Sequence, residues 1–175
     1  MKALVFAGSN SRESINLQLV KYAAEFLKKN RGYEIELLDL NDFAMPLFGV
    51  DLEKEKGPQP LAQKFLAHIT QSDVILISLA EHNGSYSVAF KNILDWTSRI
   101  NSKLFQNKPM VILATSPGAR GGISVLSAAE SRFPFLGAQI KGTFSLPEFQ
   151  KNFDPVKGIT NSDLQKKLEA TLSLL

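Results

Sequence analysis

The sequence has no cysteine, only two histidines and no long apolar run, and each shortage narrows the chemistry open to the chain. Without cysteine there is no disulfide, no thiolate nucleophile, no zinc–thiolate site and no cysteine-ligated iron–sulfur cluster. With His68 and His82 as the two histidines, no metal site is predicted, and His68 is expected to be structural. A chain without thiols fits a reducing compartment, so a cytoplasmic protein is predicted.

The sequence also lacks the features of a protein that binds membranes or nucleic acids. No apolar stretch approaches the ~20 residues that span a bilayer. Lys and Arg number 20 against 17 Asp and Glu, which gives a net charge of +3 without a run of like charges. Nucleic-acid binding usually requires a basic stripe with stacking or base-contacting groups. We therefore predict neither a membrane nor a nucleic acid as partner.

What the sequence does contain is a regular alternation of apolar runs and helical stripes. The 175 residues, 44% of them hydrophobic, suit a single domain over residues 1–175. Buried strands are predicted at residues 3–7, 34–40, 74–79, 110–115 and 140–146. Helical stripes separate them, which predicts an α/β fold with a five-stranded parallel sheet covered on both faces.

Local signals place several boundaries. Ser14 is predicted to cap the first helix and Gly32 to end it. The run Ser162-Asp163-Leu164-Gln165 resembles a capping box that opens the last helix. Residues 43–60 form the longest irregular stretch, which is predicted to be a surface loop or a cover over a site.

Three turns are the candidate site. In an open α/β sheet, ligands bind beyond the carboxyl ends of the strands, where the strand order reverses. Residues 8–16, 80–87 and 116–122 follow the first, third and fourth predicted strands, and each combines glycine with small polar residues. One such turn is typical of any strand–helix connection, but three at one edge of a sheet predict a binding site.

The first turn is predicted to bind a phosphate group. Ser9, Ser11 and Ser14 supply hydroxyls, Asn16 an amide and Arg12 a charged fork. The helix that follows directs free backbone N–H groups and its positive dipole end to the same place. In the alternative interpretation, Ser14 only caps the helix and Arg12 lies in solvent. Neither a Walker A loop nor a G-x-G-x-x-G fingerprint is present.

The other two turns favour a flat, polar ring. Asn83-Gly84-Ser85 offers an amide, a flexible backbone and a hydroxyl, and Gly118 and Gly121 permit close approach. Tyr86 and His82 either cover a face of the ring or shield the loop. No nucleophile elbow or acid–base pair occurs, so no catalytic residue is predicted and a cofactor must supply the reactivity.

The three turns resemble those of the flavodoxin-like, NAD(P)H-dependent FMN reductases, a family that includes quinone and azo reductases. The first turn of that family usually reads Gly-Ser-x-Arg-x-x-Ser-x-Asn. Residues 8–16 match it except that Ser11 stands at the arginine position and Arg12 follows.

The later motifs extend the resemblance to all but about the last twenty residues. Residues 80–86 resemble Pro-Glu-Tyr-Asn-Gly-Ser-Tyr, with Ala80 and His82 as departures. Residues 90–96 resemble the family's Leu-Lys-Asn-x-x-Asp-Trp helix, and residues 116–122 its Ser-x-Gly-x-x-Gly-Gly turn.

The resemblance implies a flavodoxin-like α/β/α sandwich of strand order 2-1-3-4-5, with FMN at the switch between strands one and three. It implies hydride transfer from NAD(P)H to a small-molecule electron acceptor such as a flavin, a quinone or an azo compound. The FMN phosphate would be bound by Ser9, Ser11, Arg12, Ser14 and Asn16. The isoalloxazine would be bound by Glu81, His82, Asn83, Gly84, Ser85, Ser116, Pro117, Gly118 and Gly121.

Two other functions stay open at this point. A flavodoxin-type electron carrier would bind FMN without turnover of its own, although such carriers are usually acidic and have a Ser/Thr-x-Thr-Gly-x-Thr loop. A protein that keeps the fold and has lost the cofactor is the other. The resemblance also implies a homodimer or homotetramer. Candidate contacts in this sequence are Asp95, Trp96 and residues 43–48, with a place in the core as the alternative for Trp96.

Overall fold

The computed structural model describes all residues from Met1 to Leu175 and contains nine strands. The strands are β1 (Lys2–Gly8), β2 (Glu34–Leu38), β3 (Val74–Leu79), β4 (Glu81–His82), β5 (Ser85–Tyr86), β6 (Pro109–Thr115), β7 (Gln139–Leu146), β8 (Phe153–Asp154) and β9 (Gly158–Ile159). The helices are α1 (Ile15–Arg31), α2 (Val50–Lys56), α3 (Pro60–Gln71), α4 (Val88–Ile100), α5 (Ile123–Arg132), α6 (Phe149–Asn152) and α7 (Ser162–Leu172). Two 3-10 turns lie at Leu40–Phe43 and Phe133–Leu136.

Five strands form one parallel sheet in the order β2-β1-β3-β6-β7. Since β6 and β7 are the fourth and fifth predicted strands, the expected flavodoxin-like order is confirmed. The order reverses between β1 and β3, which puts the switch point at the carboxyl ends of these two strands. The short strands make two separate antiparallel pairs, β4 with β5 and β8 with β9.

The sheet separates two apolar cores. Successive residues of β1 alternate between them, so that Leu4 and Phe6 join a cluster of 24 buried residues while Ala3 and Val5 join one of 20 on the other face. A strand with both faces covered is mainly apolar, which is why β1, β3 and β6 are largely hydrophobic, with the buried Ser78 as a polar exception in β3. No helix is long and apolar enough to cross a bilayer.

The first helix has the predicted ends, but two other boundaries differ. The hydroxyl of Ser14 accepts the Leu17 N–H at 3.2 Å, and Gly32 ends α1 with φ 68°. The predicted capping box is wrong because the side chain of Asn161, one residue earlier, caps α7. Residues 43–60 are not irregular throughout, since they contain α2.

A charged cluster joins β1, β2 and α3. The Glu36 carboxylate lies 3.1 Å from Lys2 Nζ and 2.9 Å from His68 Nδ1, and the Phe43 ring packs edge-on against the imidazole. Burial raises the pKa of Glu36, but the hydrogen bonds from Lys2 and His68 outweigh it and lower the pKa overall. His68 is therefore structural, as predicted.

Replacing Glu36 should make the free energy of unfolding less dependent on pH in the acid range. Because its folded-state pKa is lowered, the carboxylate stabilises the fold above its unfolded pKa, and this contribution is lost as the pH falls through the folded pKa. Glu36→Gln should lower the free energy of unfolding by about 1 kcal/mol near pH 7 and by less in acid. Urea unfolding of both proteins, at pH 7 and at an acid pH, measures these free energies. Glu34→Gln, at an exposed position of the same strand, is the control, and an equal loss for both variants would contradict the prediction.

Candidate functional site

The first predicted turn and the starts of the other two meet around one cavity at the switch point. The cavity has a volume of about 210 Å³ and lies at the carboxyl ends of β1, β3 and β6. The predicted site residues that line it are Ser9, Ser11, Ser14, Asn16, Glu81, His82, Ser116 and Pro117. The predicted residues outside its lining are Arg12, Asn83, Gly84, Ser85, Gly118 and Gly121.

The first turn presents hydrogen-bond donors to this cavity. Ser9 Oγ accepts the Ser11 N–H at 3.2 Å but donates to no group of the chain, and the Ser11 hydroxyl has no partner within the chain. The backbone N–H groups of Ile15 and Asn16, in the first turn of α1, are also without a partner in the chain. Together with the positive end of the helix dipole, these donors suit an anion.

Asn16 uses most of its side chain to join strands. Its Oδ1 accepts the Ser78 hydroxyl at 2.7 Å and the Thr115 N–H at 3.0 Å, and its Nδ2 donates to the Thr115 carbonyl at 3.1 Å. The residue is 3% exposed. The amide thus fixes the start of α1 against β3 and β6, with one N–H left to donate.

Charged side chains near the first turn are placed differently from the expectation. Arg12 is exposed and has no hydrogen-bond or ion-pair partner, whereas the neighbouring Glu13 lines the cavity. In this structure the donors at the cavity wall are therefore hydroxyl and backbone groups, and the guanidinium lies outside.

The second turn is a β-hairpin, which the sequence interpretation missed. Asn83 and Gly84 connect β4 to β5 with φ 51° and 75°, the positive values of a type I′ turn. An Asn-Gly pair is the usual signal for this turn. The hairpin exposes Asn83, Gly84 and Ser85 at its tip, while Glu81 and His82 at its base face the cavity.

The Glu81 carboxylate connects the second turn to the third. Its Oε2 accepts the Val125 N–H at 3.0 Å, at the start of α5. The N-cap of that helix is Gly122, which has no side chain to cap it. A carboxylate at this end also matches the helix dipole. Glu81 therefore caps α5 from another loop.

Tyr86 shields the loop and does not face the cavity. Its ring stacks on Phe133, with the ring centres 5.8 Å apart and the planes at 15°, and meets Phe90 edge-on. Burial raises the pKa of Tyr86 to about 12, and its hydroxyl has no partner. Of the two roles left open for Tyr86, the structure supports the shielding one.

The glycines of the third turn have two roles, which are close packing within the chain and room for a ligand to approach. Gly121 has φ 57°, and a Cβ there would lie 2.8 Å from the backbone nitrogen of Pro147. A Cβ at Gly118 would lie 3.9 Å from Ser116 Oγ, an ordinary contact distance, so the chain itself does not require glycine there and its surface can be approached by a ligand. The Ser87 hydroxyl donates to the Gly8 carbonyl at 2.8 Å and so ties the second turn to the first.

A second cavity, of about 280 Å³, adjoins the first at His82, which lines both. Seven of its twelve lining residues are hydrophobic. They come from the 3-10 turn after β2, from residues 44–47 and from the start of α4. Sequence reasoning named residues 43–60 as a cover over a site but found no individual residue of this pocket apart from His82.

The candidate interface residues separate into two groups. Trp96 is fully buried, so its prediction as a contact with another subunit is wrong, and Asp95 pairs with Lys91 on its own helix. Three large apolar side chains do lie exposed. Leu47 and Val88, which line the second cavity, are 69% and 66% exposed, and Val50 at the start of α2 is 57% exposed.

Comparisons with known proteins agree with this geometry. Residues 1–151 match the model of the family described as NADPH-dependent FMN reductase. An NADPH:quinone oxidoreductase of Arabidopsis thaliana is 29% identical over 176 residues, covering 98% of this chain and 88% of its own. A quinone reductase of Pseudomonas putida is 29% identical over 133 residues, covering 75% and 69%.

Solved structures share the fold at low identity. FerB, a flavoenzyme NAD(P)H:(acceptor) oxidoreductase from Paracoccus denitrificans, superposes with a TM-score of 0.76 at 23% identity, covering 98% of this chain and 93% of its own. An azoreductase from Bacillus anthracis gives 0.68 at 16% identity, covering 99% and 98%. With the family model matched along residues 1–151, the chain belongs to the NADPH-dependent FMN reductase family and is an FMN-using oxidoreductase.

Proposed function

We propose that this protein passes hydride from NAD(P)H, by way of FMN, to a quinone-type acceptor. The observation that carries the proposal is the cavity at the switch point, with free hydroxyl and N–H donors at the start of α1. The quinone class is supported by the names of the Arabidopsis and Pseudomonas relatives. Nothing in the comparisons favours an electron carrier without turnover.

The donor set of the first turn fits the phosphate of FMN. Ser9 and Ser11 would donate hydroxyl hydrogens to it, and the N–H groups of Ile15 and Asn16 would add the helix terminus. Ser14 caps α1, and its hydroxyl hydrogen remains available. Arg12 would contribute charge from outside the cavity.

The ring of the cofactor would lie against the second and third turns. The residues we assign to it are Glu81, His82, Asn83, Gly84, Ser85, Ser116, Pro117, Gly118 and Gly121. Glu81 and Gly121 would act chiefly by fixing the shape of the turns, through the α5 cap and the packing against Pro147. When bound, FMN supplies the hydride-accepting and hydride-donating chemistry.

The protein's own part is to bind, orient and exclude water. Glu81 and His82 both line the cavity, but no hydrogen bond joins them into an acid–base pair, and one Glu81 oxygen is occupied by the α5 cap. Backbone N–H groups near the ring would stabilise negative charge that develops there during reduction. We therefore assign no catalytic side chain.

The proposal includes an oligomer in the cytoplasm, where reduced nicotinamides are available. The exposed apolar side chains of Leu47, Val50 and Val88 would be covered by a second copy of the chain, as a homodimer or within a homotetramer. Such a contact would place a neighbouring subunit at the rim of the second cavity.

The purified protein should be yellow, or become so with FMN, and NADPH should bleach the flavin in the absence of oxygen. Steady-state turnover with a naphthoquinone should then consume one NADPH per quinone reduced to hydroquinone. A colourless protein that takes up no FMN contradicts the proposal. Bound flavin that neither NADPH nor NADH bleaches leaves only an electron carrier.

Ser11→Ala should weaken FMN binding at least about tenfold, because a hydrogen bond to a charged phosphate contributes about 1.5–3 kcal/mol. Arg12→Ala should weaken it less, since the guanidinium lies outside the cavity. Fluorescence titration of the apoprotein measures both affinities. Riboflavin, which lacks the phosphate, is the control ligand, and a Ser11→Ala loss of equal size with riboflavin would contradict the assignment.

Light scattering during size exclusion should give a mass of at least twice the 19.3 kDa chain. Val88→Glu should shift the protein toward the monomer, because it places a charge in the proposed contact. Val156→Glu is the matched control, since Val156 is 93% exposed on the β8–β9 turn. A wild-type mass of one chain, or dissociation by both variants, argues against the proposed interface.

A further inference from the structure

One side chain of α4 holds the segment of residues 44–48 in place. Asn92 Oδ1 accepts the Phe48 N–H at 2.8 Å. Its Nδ2 donates to the carbonyls of Met45 and Pro46, each at 3.1 Å. Three hydrogen bonds of one amide therefore fix the backbone at three of four consecutive residues.

Trp96, one helical turn along α4, adds to this hold. Its Nε1 donates to the Pro46 carbonyl at 2.8 Å, and its ring meets Phe48 edge-on with centres 5.1 Å apart. Residues 44–48 make no backbone–backbone hydrogen bond. The path of the segment thus depends on polar contacts with two buried side chains of α4.

The same segment forms one wall of the second cavity. Ala44, Met45 and Leu47 line it, and the start of α4 at Val88 and Ala89 lines it as well. Because His82 separates this cavity from the one at the switch point, a molecule in it would lie next to the proposed flavin site. A shift of the segment would change the width of the pocket.

We propose that Asn92 is a positioning residue that sets the width of this pocket, and that the pocket takes the flat ring of the electron acceptor. The inference rests on the proposed function, since it assumes that an acceptor meets the flavin here. Apolar walls on two sides suit a one- or two-ring quinone. Asn92 itself lines the pocket, but its amide is occupied by those three contacts, so it acts on the ring through the backbone of residues 45–48.

Three variants of the FMN-loaded protein test the role of Asn92. Asn92→Ala removes all three hydrogen bonds. Asn92→Asp keeps an acceptor for the Phe48 N–H, loses both donors and repels the two carbonyls. Lys91→Ala is the control, since it lies on the exposed side of the same helix and pairs only with Asp95.

Two acceptors separate positioning from general damage. 2-Methyl-1,4-naphthoquinone must bind in a pocket that fits its flat ring. Ferricyanide accepts single electrons and does not need to enter such a pocket. Asn92→Ala should raise the KM for the quinone about tenfold, because a wall released from its three hydrogen bonds must be ordered again when the ring binds. Turnover with ferricyanide should stay within about twofold of wild type. Asn92→Asp should also raise the quinone KM. Lys91→Ala should change neither the quinone KM nor the turnover with ferricyanide.

Hydrogen exchange of the Phe48 amide gives a readout independent of activity. Its N–H has Asn92 Oδ1 as its partner, so Asn92→Ala should speed its exchange at least about tenfold, while Asn92→Asp preserves protection.

The outcomes separate the inference from the proposed function. Wild-type protein that reduces no quinone overturns the proposed function. Active wild type with an unchanged quinone KM in both Asn92 variants overturns only the inference. An equal loss of activity with quinone and with ferricyanide in the Asn92 variants also overturns the inference, because Asn92 would then have only a structural role.

Discussion

The amide of Asn16 is the contact on which the arrangement of the site depends. It is buried where α1 begins and bonds to the carboxyl ends of β3 and β6, so three chain segments far apart in sequence share one side chain. Leaving such buried groups unpaired costs about 1–3 kcal/mol each. The start of α1, with its free N–H groups, is thereby fixed at the switch point of the sheet.

The other turns are held in the same manner, each by a side chain from a neighbouring loop. The Ser87 hydroxyl bonds to the Gly8 carbonyl, and the Glu81 carboxylate caps α5. Several polar groups that resemble ligand contacts in the sequence therefore hold the protein itself together. A binding site built from backbone donors requires such fixed turns, because its groups cannot adjust by rotating a side chain.

The sheet and the location of the site were predictable because they follow from local patterns. A strand buried on both faces is mainly apolar, and parallel strands bring the turns that follow them to one edge. The α5 cap by Glu81 and the wall formed by residues 44–47 were not predictable, since each depends on which segments meet in space. The Asn83-Gly84 hairpin and the Asn161 cap are different, because each has a local signal in the sequence, an Asn-Gly pair and an asparagine at the N-cap position.

The chain has one tryptophan, and it is the residue that holds Pro46 from α4. All of the indole emission of the protein therefore comes from one point behind the wall of the second cavity. Displacement of that wall, entry of an aromatic molecule or the approach of another subunit would alter the environment of this single fluorophore. The fold thus contains an intrinsic optical reporter, which needs no label, for the part of the molecule where its substrates would arrive.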